Sequence, residues 1–175
     1  VRADGPSGLQ GLIHELHLDK EVQLLGSVRQ DEVRSLMQRS SCFALACIQA
    51  KDGNIDALPT VLLESLACGC PSVSTRQSGV PEIIEDGESG LLVEPEDERA
   101  LADAIQRVLV EPQTWQKLSS GGRVRAEDRF DVRKSVASMR ERFVRVLSRG
   151  KRASDSVATA PSAESLSAAS KQEAA

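Results

Sequence analysis

Aromatic residues are scarce in this chain, with one Trp, three Phe and no Tyr among 175 residues. Lacking platforms on which bases could stack, and carrying 22 basic against 26 acidic side chains, it gives a nucleic-acid partner little support. Long apolar runs are missing too, and none approaches the roughly 18 residues that argue a membrane-spanning helix. The opening Val1-Arg2-Ala3-Asp4-Gly5-Pro6 has no initiator Met, apolar signal core or basic targeting stretch, and reads as the start of a fragment cut from a longer chain. Only four cysteines occur, at 42, 47, 68 and 70. That is too few for a disulfide framework and favours a reducing, cytoplasmic setting. Neither Cys68-x-Cys70 nor Cys42-x4-Cys47 has zinc-ligand spacing, and a strand over 42–47 would turn Cys42 and Cys47 to opposite faces. No metal is expected; the thiols read as small buried apolar groups. His14 and His17, three apart in a helix, read as a surface pair rather than metal ligands. With neither a Gly-x-Gly-x-x-Gly run nor a P-loop, dinucleotide and ATPase chemistry lack their usual loops, and no cofactor is expected.

What is present suits one real core, since 40% of residues are apolar. Charge is divided along the chain. Residues 1–122 carry 10 basic and 19 acidic side chains, residues 123–152 carry 11 and 4, and residues 153–175 carry 1 and 3. From Ala153 the chain is mostly Ala, Ser and polar residues, and the segment 150–175 is expected to be disordered, with alanines that allow transient helix.

The body alternates between helical and strand patterns. Leu9, Leu12, Ile13 and Leu16 fall at helical spacing, and Val22-Gln23-Leu24-Leu25-Gly26 reads as a short strand. A helix with Asp31 near its start follows, with Val33, Leu36 and Met37 on one face. Cys42-Phe43-Ala44-Leu45-Ala46 reads as a strand covered on both faces. After a polar loop, 60–68 reads as a helix with Pro59 at its first position, ended by Gly69-Cys70-Pro71. Then come a strand at 72–74, a helical turn at 81–84, a strand at 90–93, a helix capped by Asp97 through Leu109, and helices around 113–128 and 132–147. Strands alternating with helices predict an α/β layer fold built on a parallel sheet. Trp115 is expected to anchor the last helices.

In the final helix Val132, Val136, Met139, Phe143, Val146 and Leu147 form one apolar stripe, among Arg133, Lys134, Arg140, Arg142, Arg145 and Arg149. This reads either as the solvated basic face of a docked helix or as a surface attracted to an anionic membrane or lipid-linked acceptor.

The chemistry concentrates in Asp52-Gly53-Asn54-Ile55-Asp56-Ala57-Leu58-Pro59-Thr60-Val61-Leu62-Leu63-Glu64-Ser65-Leu66-Ala67-Cys68-Gly69-Cys70-Pro71. A polar loop follows a strand there and leads into a helix N-terminus, the place where ligands bind in open parallel sheets. Free N–H groups near Thr60 and Val61, with the positive end of the helix dipole, suit a phosphate. Glu64 follows one turn in, and reads either as a carboxylate turned to solvent or as a partner for ligand hydroxyls.

This stretch resembles the signature of glycosyltransferase family 4, retaining enzymes of the GT-B fold whose hallmark is E-x7-E. Asp56-x7-Glu64 has that spacing, with Asp in place of the first Glu. The likeness extends in order through Asp4-Gly5-Pro6, Val22 to Val28, Ser72 to Ile84 and Asp86 to Val93, and so covers about residues 1–147. The Asp-Ala-Leu-Pro-Thr-Val-Leu-Leu-Glu variant is similar to bacterial exopolysaccharide and colanic-acid-type enzymes. The resemblance implies a Rossmann-like, nucleotide-sugar donor-binding domain over 1–149. Glu64 would bind the ribose hydroxyls and Asp56 the donor sugar. The amides of Ala57, Leu58, Thr60 and Val61 would hold sugar and diphosphate, and the Ser27-Val28 backbone would lie by the base. Asp56 and Glu64 are thus the candidate catalytic-site residues, acting by positioning and charge stabilisation rather than as a hydrolase couple. The implied partners are a UDP-, GDP- or ADP-sugar and a glycan or lipid-linked acceptor, in cell-surface polysaccharide synthesis, at the cytoplasmic face of the membrane. The resemblance places the diphosphate-binding Arg and Lys and the acceptor domain upstream of residue 1, so that the chain alone is expected to lack turnover. No Asp-x-Asp triplet is present, which argues against a metal-dependent GT-A transferase. Ser78-Gly79-Val80-Pro81-Glu82 reads either as a plain turn capping a helix or, as its position in the family implies, as a donor-site loop, with Glu82 structural. Two other functions stand beside the transferase: a non-catalytic nucleotide-sugar-binding module, and a sugar-nucleotide epimerase of the same two-lobed architecture.

Overall fold

The structure is a computed structural model that describes residues 8–50 and 53–158, with side chains for 8–50 and 53–148. The chain divides after Val124, inside a helix, into two compact units.

The first unit is an α/β layer structure. Its described elements run α1 (Leu9–Glu15), α2 (Gln30–Arg39), β1 (Phe43–Leu45), α3 (Thr60–Ala67), β2 (Ser72–Thr75), α4 (Val80–Ile83), β3 (Gly90–Val93), α5 (Glu98–Val110) and the start of α6 (Pro112–Arg129). The three strands form one parallel sheet in the order β1-β2-β3, with Phe43 opposite Ser72 and Ser72 opposite Gly90. Parallel strands need crossovers, and α3 and α4 supply them.

β2 is the centre of this sheet and is buried along its whole length, although three of its four residues carry hydroxyls. Each hydroxyl finds a partner, as burial requires. Ser72 Oγ lies 2.9 Å from Ser65 Oγ, Ser74 Oγ donates to the Leu45 carbonyl at 2.6 Å, and Thr75 Oγ1 donates to the Cys47 carbonyl at 2.5 Å. The strand is thus stitched by side chains to α3 on one side and to the chain leaving β1 on the other. On its apolar side Val73, Leu91, Val108 and Leu118 pack as a buried cluster, with Leu101, Ala104 and Ile105 of α5 against it. Burying a Leu side chain fully is worth about 1.5–3 kcal/mol, so this cluster is what holds α5 and α6 to the sheet.

Three strand and helix expectations need correction. β1 is an edge strand, with Phe43 and Leu45 half-buried and Ala44 exposed, not a strand covered on both faces. The 22–26 segment is extended chain without a partner strand among the described residues, and Val22, Leu24 and Leu25 remain 39–46% exposed. Pro59 stands one position before α3, at its N-cap. Asp97 does cap α5, accepting from the Ala100 amide at 2.8 Å. Trp115 anchors α6 by donating its indole N–H to the Ser41 carbonyl at 2.8 Å, ahead of β1.

In the second unit α7 (Val132–Ala158) continues well past the expected end at 147, into the segment expected to be disordered. Extending an existing helix needs no new nucleus, and each added residue gains a backbone hydrogen bond. The remainder of that expectation, 159–175, lies outside the described residues. The apolar stripe of α7 is uncovered, with Val132, Val136, Met139, Phe143, Val146 and Leu147 all 56–72% exposed. Lys134 bonds Asp128 at 2.9 Å, which holds its ammonium above the usual lysine range. Among the described residues no helix is long and apolar enough to cross a membrane.

Candidate functional site

The site is built at the carboxyl end of β1 and β2, where the chain leaving β1 loops through Asp56 and returns as α3. The loop closes on itself through Ala50 and Asn54, whose backbone groups meet at 2.8 Å, and through Gln49, which donates to the Gly53 carbonyl at 3.3 Å. Its far end is held from outside. The Ala57 carbonyl accepts both the Gly79 amide at 3.0 Å and the Ser78 hydroxyl at 3.3 Å. The Ser78-Gly79 loop therefore holds the far end of the Asp56 loop.

Gly79 is required at that crossing. A Cβ there would overlap the Ala57 carbonyl oxygen and stand 2.9 Å from Leu58 Cδ1. Only a residue without a side chain lets the two backbones meet.

α3 presents its first turn to this loop. Its N-cap, Pro59, provides no capping side chain, so the Thr60 and Val61 amides have no intrahelical acceptor and point their positive end at the loop. The opposite end of α3 closes by backbone hydrogen bonds from Gly69 to Leu66 at 3.0 Å and from Cys70 to Ser65 at 3.1 Å, and by the Arg123 guanidinium donating to the Ala67 carbonyl. Its inner face is fixed by buried Leu62, Ser65 and Leu66. Glu64, on the other side of the helix, is exposed.

The two acidic residues face different hollows. Glu64 lines an open groove of about 400 Å³ with Cys68 and, from α2, Gln30, Asp31, Arg34 and Met37. Asp56 lines a separate shallow depression of about 340 Å³ with Ile48, Ala50, Asn54 and Ile55. The α3 N-terminus lies between them in the chain. Asp56 also accepts the Leu58 amide at 3.2 Å, which engages one of the expected amide donors in the loop's own turn. Ser27 is exposed and Val28 half-buried in the extended segment that leads into α2. Sequence reasoning passed over Gln30 and Arg34; their spacing with Asp31 and Met37 on one helical face was the available signal.

Cys42, Cys47 and Cys70 do not line the Glu64 groove. Burial, with the Cys70 thiol beside it, raises Cys42 from its ordinary value of 9.0 to about 11. Cys47 and Cys70 are raised as well, burial being the main cause. These thiols stay protonated at neutral pH and are poor nucleophiles.

Comparison with known proteins places this geometry. The WcaL protein of Salmonella typhimurium, named for colanic acid biosynthesis, is 37% identical over 94 residues, 54% of this chain and 23% of WcaL. The amylovoran biosynthesis glycosyltransferase AmsK of Erwinia amylovora is 35% identical over 100 residues, 57% of this chain and 25% of AmsK. The chain thus spans about a quarter of the length of these curated relatives. Among solved structures, Anabaena HepE in complex with UDP-glucose superposes with a TM-score of 0.65 at 26% identity, over 80% of this chain and 35% of HepE. The family model described as glycosyl transferases group 1 matches residues 4–125. The chain belongs to the glycosyl transferases group 1 family.

Proposed function

We propose that this chain is the donor-binding part of a retaining glycosyltransferase, which transfers a sugar from a nucleotide diphosphate to a glycan or lipid-linked acceptor in cell-surface polysaccharide synthesis. The feature that carries the reading is the order along the chain, in which the α3 N-terminus follows the Asp56 loop and precedes Glu64 in its groove. The diphosphate sits on the Thr60 and Val61 amides, where the helix dipole and unpaired N–H groups favour negative charge. Glu64, one turn along, accepts the ribose hydroxyls, and Asp56 meets the hydroxyls of the donor sugar. As the bond to the anomeric carbon breaks, charge grows on the leaving diphosphate, and the α3 amides oppose it. Support for the substrate class comes from HepE, a neighbour solved with UDP-glucose, and for the pathway class from relatives named for colanic acid and amylovoran synthesis.

Calorimetric titration with UDP, GDP and ADP tests this. Saturable binding is expected, weakened by about 1–3 kcal/mol in Glu64→Ala through loss of charge-assisted hydrogen bonds. Equal affinity in the variant would remove the ribose role from Glu64.

A second reading concerns α7. Its uncovered apolar stripe between Arg133, Lys134, Arg140, Arg142 and Arg145 supports peripheral contact with an anionic membrane surface, where a lipid-linked acceptor would be found.

A further inference from the structure

The peptide unit that joins Ala57 to Leu58 is gripped at both ends. Its carbonyl accepts the Gly79 amide at 3.0 Å and the Ser78 hydroxyl at 3.3 Å, and its N–H donates to Asp56 Oδ1 at 3.2 Å. A peptide unit is planar, so donors that fix the direction of its carbonyl also fix the direction of its N–H. Hydrogen bonds in a chain polarise one another, so a carbonyl with two donors makes its amide a better donor to the carboxylate. Asp56 is exposed. Among the described residues the Leu58 amide is the only hydrogen-bond partner of its side chain, which leaves Oδ2 open.

Ser78 stands in a conformation that a side chain disfavours. Its φ is 48°, in the left-handed region where a Cβ crowds the backbone and glycine is at ease. Strained residues of this kind gather at ligand-binding loops. Glycine at 78 would relieve the strain and still leave the Gly79 amide on Ala57. What serine adds is its hydroxyl, and that hydroxyl is directed at the Ala57 carbonyl.

We propose that Ser78 is a positioning residue for the donor-sugar end of the site, which aims the Asp56 carboxylate through the Ala57–Leu58 peptide without itself touching the sugar. This role rests on the reading of Asp56 as the ligand of the donor-sugar hydroxyls. A carboxylate held in one direction before the sugar arrives loses less freedom on binding it.

The test is calorimetric titration with UDP, GDP and ADP, each paired with a sugar conjugate: UDP-glucose, GDP-mannose and ADP-glucose. The quantity read is the affinity of the conjugate divided by that of its nucleoside diphosphate, for whichever base binds. Wild type, Ser78→Gly, Ser78→Ala, Ser78→Asn and Asp56→Ala are compared, with the thermal midpoint and the exchange rate of the Leu58 amide measured on each. Ser78→Gly should keep a midpoint near wild type, because relief of the left-handed strain offsets the added freedom of the unfolded chain. It should nevertheless lower the ratio by about two- to tenfold, the worth of one hydrogen bond, through the conjugate alone. Ser78→Ala should lower the ratio as well. Ser78→Asn should recover part of it, since Asn tolerates the left-handed region and its amide donates to a carbonyl. Exchange of the Leu58 amide should speed up in Ser78→Gly and Ser78→Ala, as in Asp56→Ala.

Equal weakening of conjugate and nucleoside diphosphate, a loss that follows the thermal midpoint, or an unchanged exchange rate would overturn the role of Ser78. So would a ratio that Asp56→Ala lowers and Ser78→Gly does not; the Asp56 reading would then stand without it. A ratio unchanged in Asp56→Ala would overturn the Asp56 reading, and the role of Ser78 with it. Absence of binding by every nucleotide and conjugate would overturn the donor-binding reading and this role together.

Discussion

Gly79 shows how narrowly single residues set this site. Gly79→Ala should force the Ser78 and Ala57 loops apart, because the new Cβ overlaps the Ala57 carbonyl oxygen. Overpacking of this kind typically costs about 1–3 kcal/mol. We expect nucleotide-sugar affinity to fall by about tenfold in calorimetry with helix content retained, since the strain falls on a loop rather than on the sheet. Unchanged affinity for the nucleotide sugar would mean that the Asp56 loop does not touch the donor. The spacing of Asp56 and Glu64 was legible in the sequence, and so was the likeness of the 78–82 loop to a donor-site loop. The turn of the Asp56 carboxylate onto the Leu58 amide was not legible, because spacing fixes where a residue stands and not which rotamer it takes. Arg34 escaped notice for a related reason. On a helix read for its apolar face, a polar residue looks solvated until the opposing helix supplies the other wall of a groove.

At the scale of elements, β3 lay where the sequence pattern put it, at Gly90–Val93, and α1 to α6 lay within a few residues of their expected positions, whereas α7 ran on to Ala158. What the pattern missed is pairing. The apolar run at 42–46 looks the same whether its strand is central or at an edge. Likewise, Val22 to Leu25 has strand character but, among the described residues, no neighbouring strand to complete its hydrogen bonds. β2 shows the converse: three hydroxyl residues are buried at the centre of the sheet because Ser65, Leu45 and Cys47 satisfy them, a fact that depends on tertiary neighbours. α7 carries the element-scale prediction. If its stripe meets an anionic bilayer, the chain should sediment with vesicles containing phosphatidylglycerol, and release should follow as salt rises through the range where the Debye length shortens from about 10 Å to 3 Å. Negligible binding at every ionic strength would remove the membrane role from α7.

For the whole molecule, charge and family coverage matter most. The acidic body and the basic stretch at 123–152 were visible from composition, and the structure divides at nearly the same place, after Val124. The α/β class followed from alternation alone. The order of strands and the separation of Asp56 and Glu64 into two hollows did not, since both depend on how loops cross the sheet end. The family match over 4–125 falls almost wholly on the first unit, the one that holds both hollows and the α3 N-terminus.

A crystal structure of the chain grown with a nucleoside diphosphate tests the central claim most directly. The account predicts the diphosphate on the Thr60 and Val61 amides, the ribose hydroxyls on Glu64 and the base in the groove beside α2. A nucleotide bound away from α3, or no nucleotide at millimolar concentration, would contradict it.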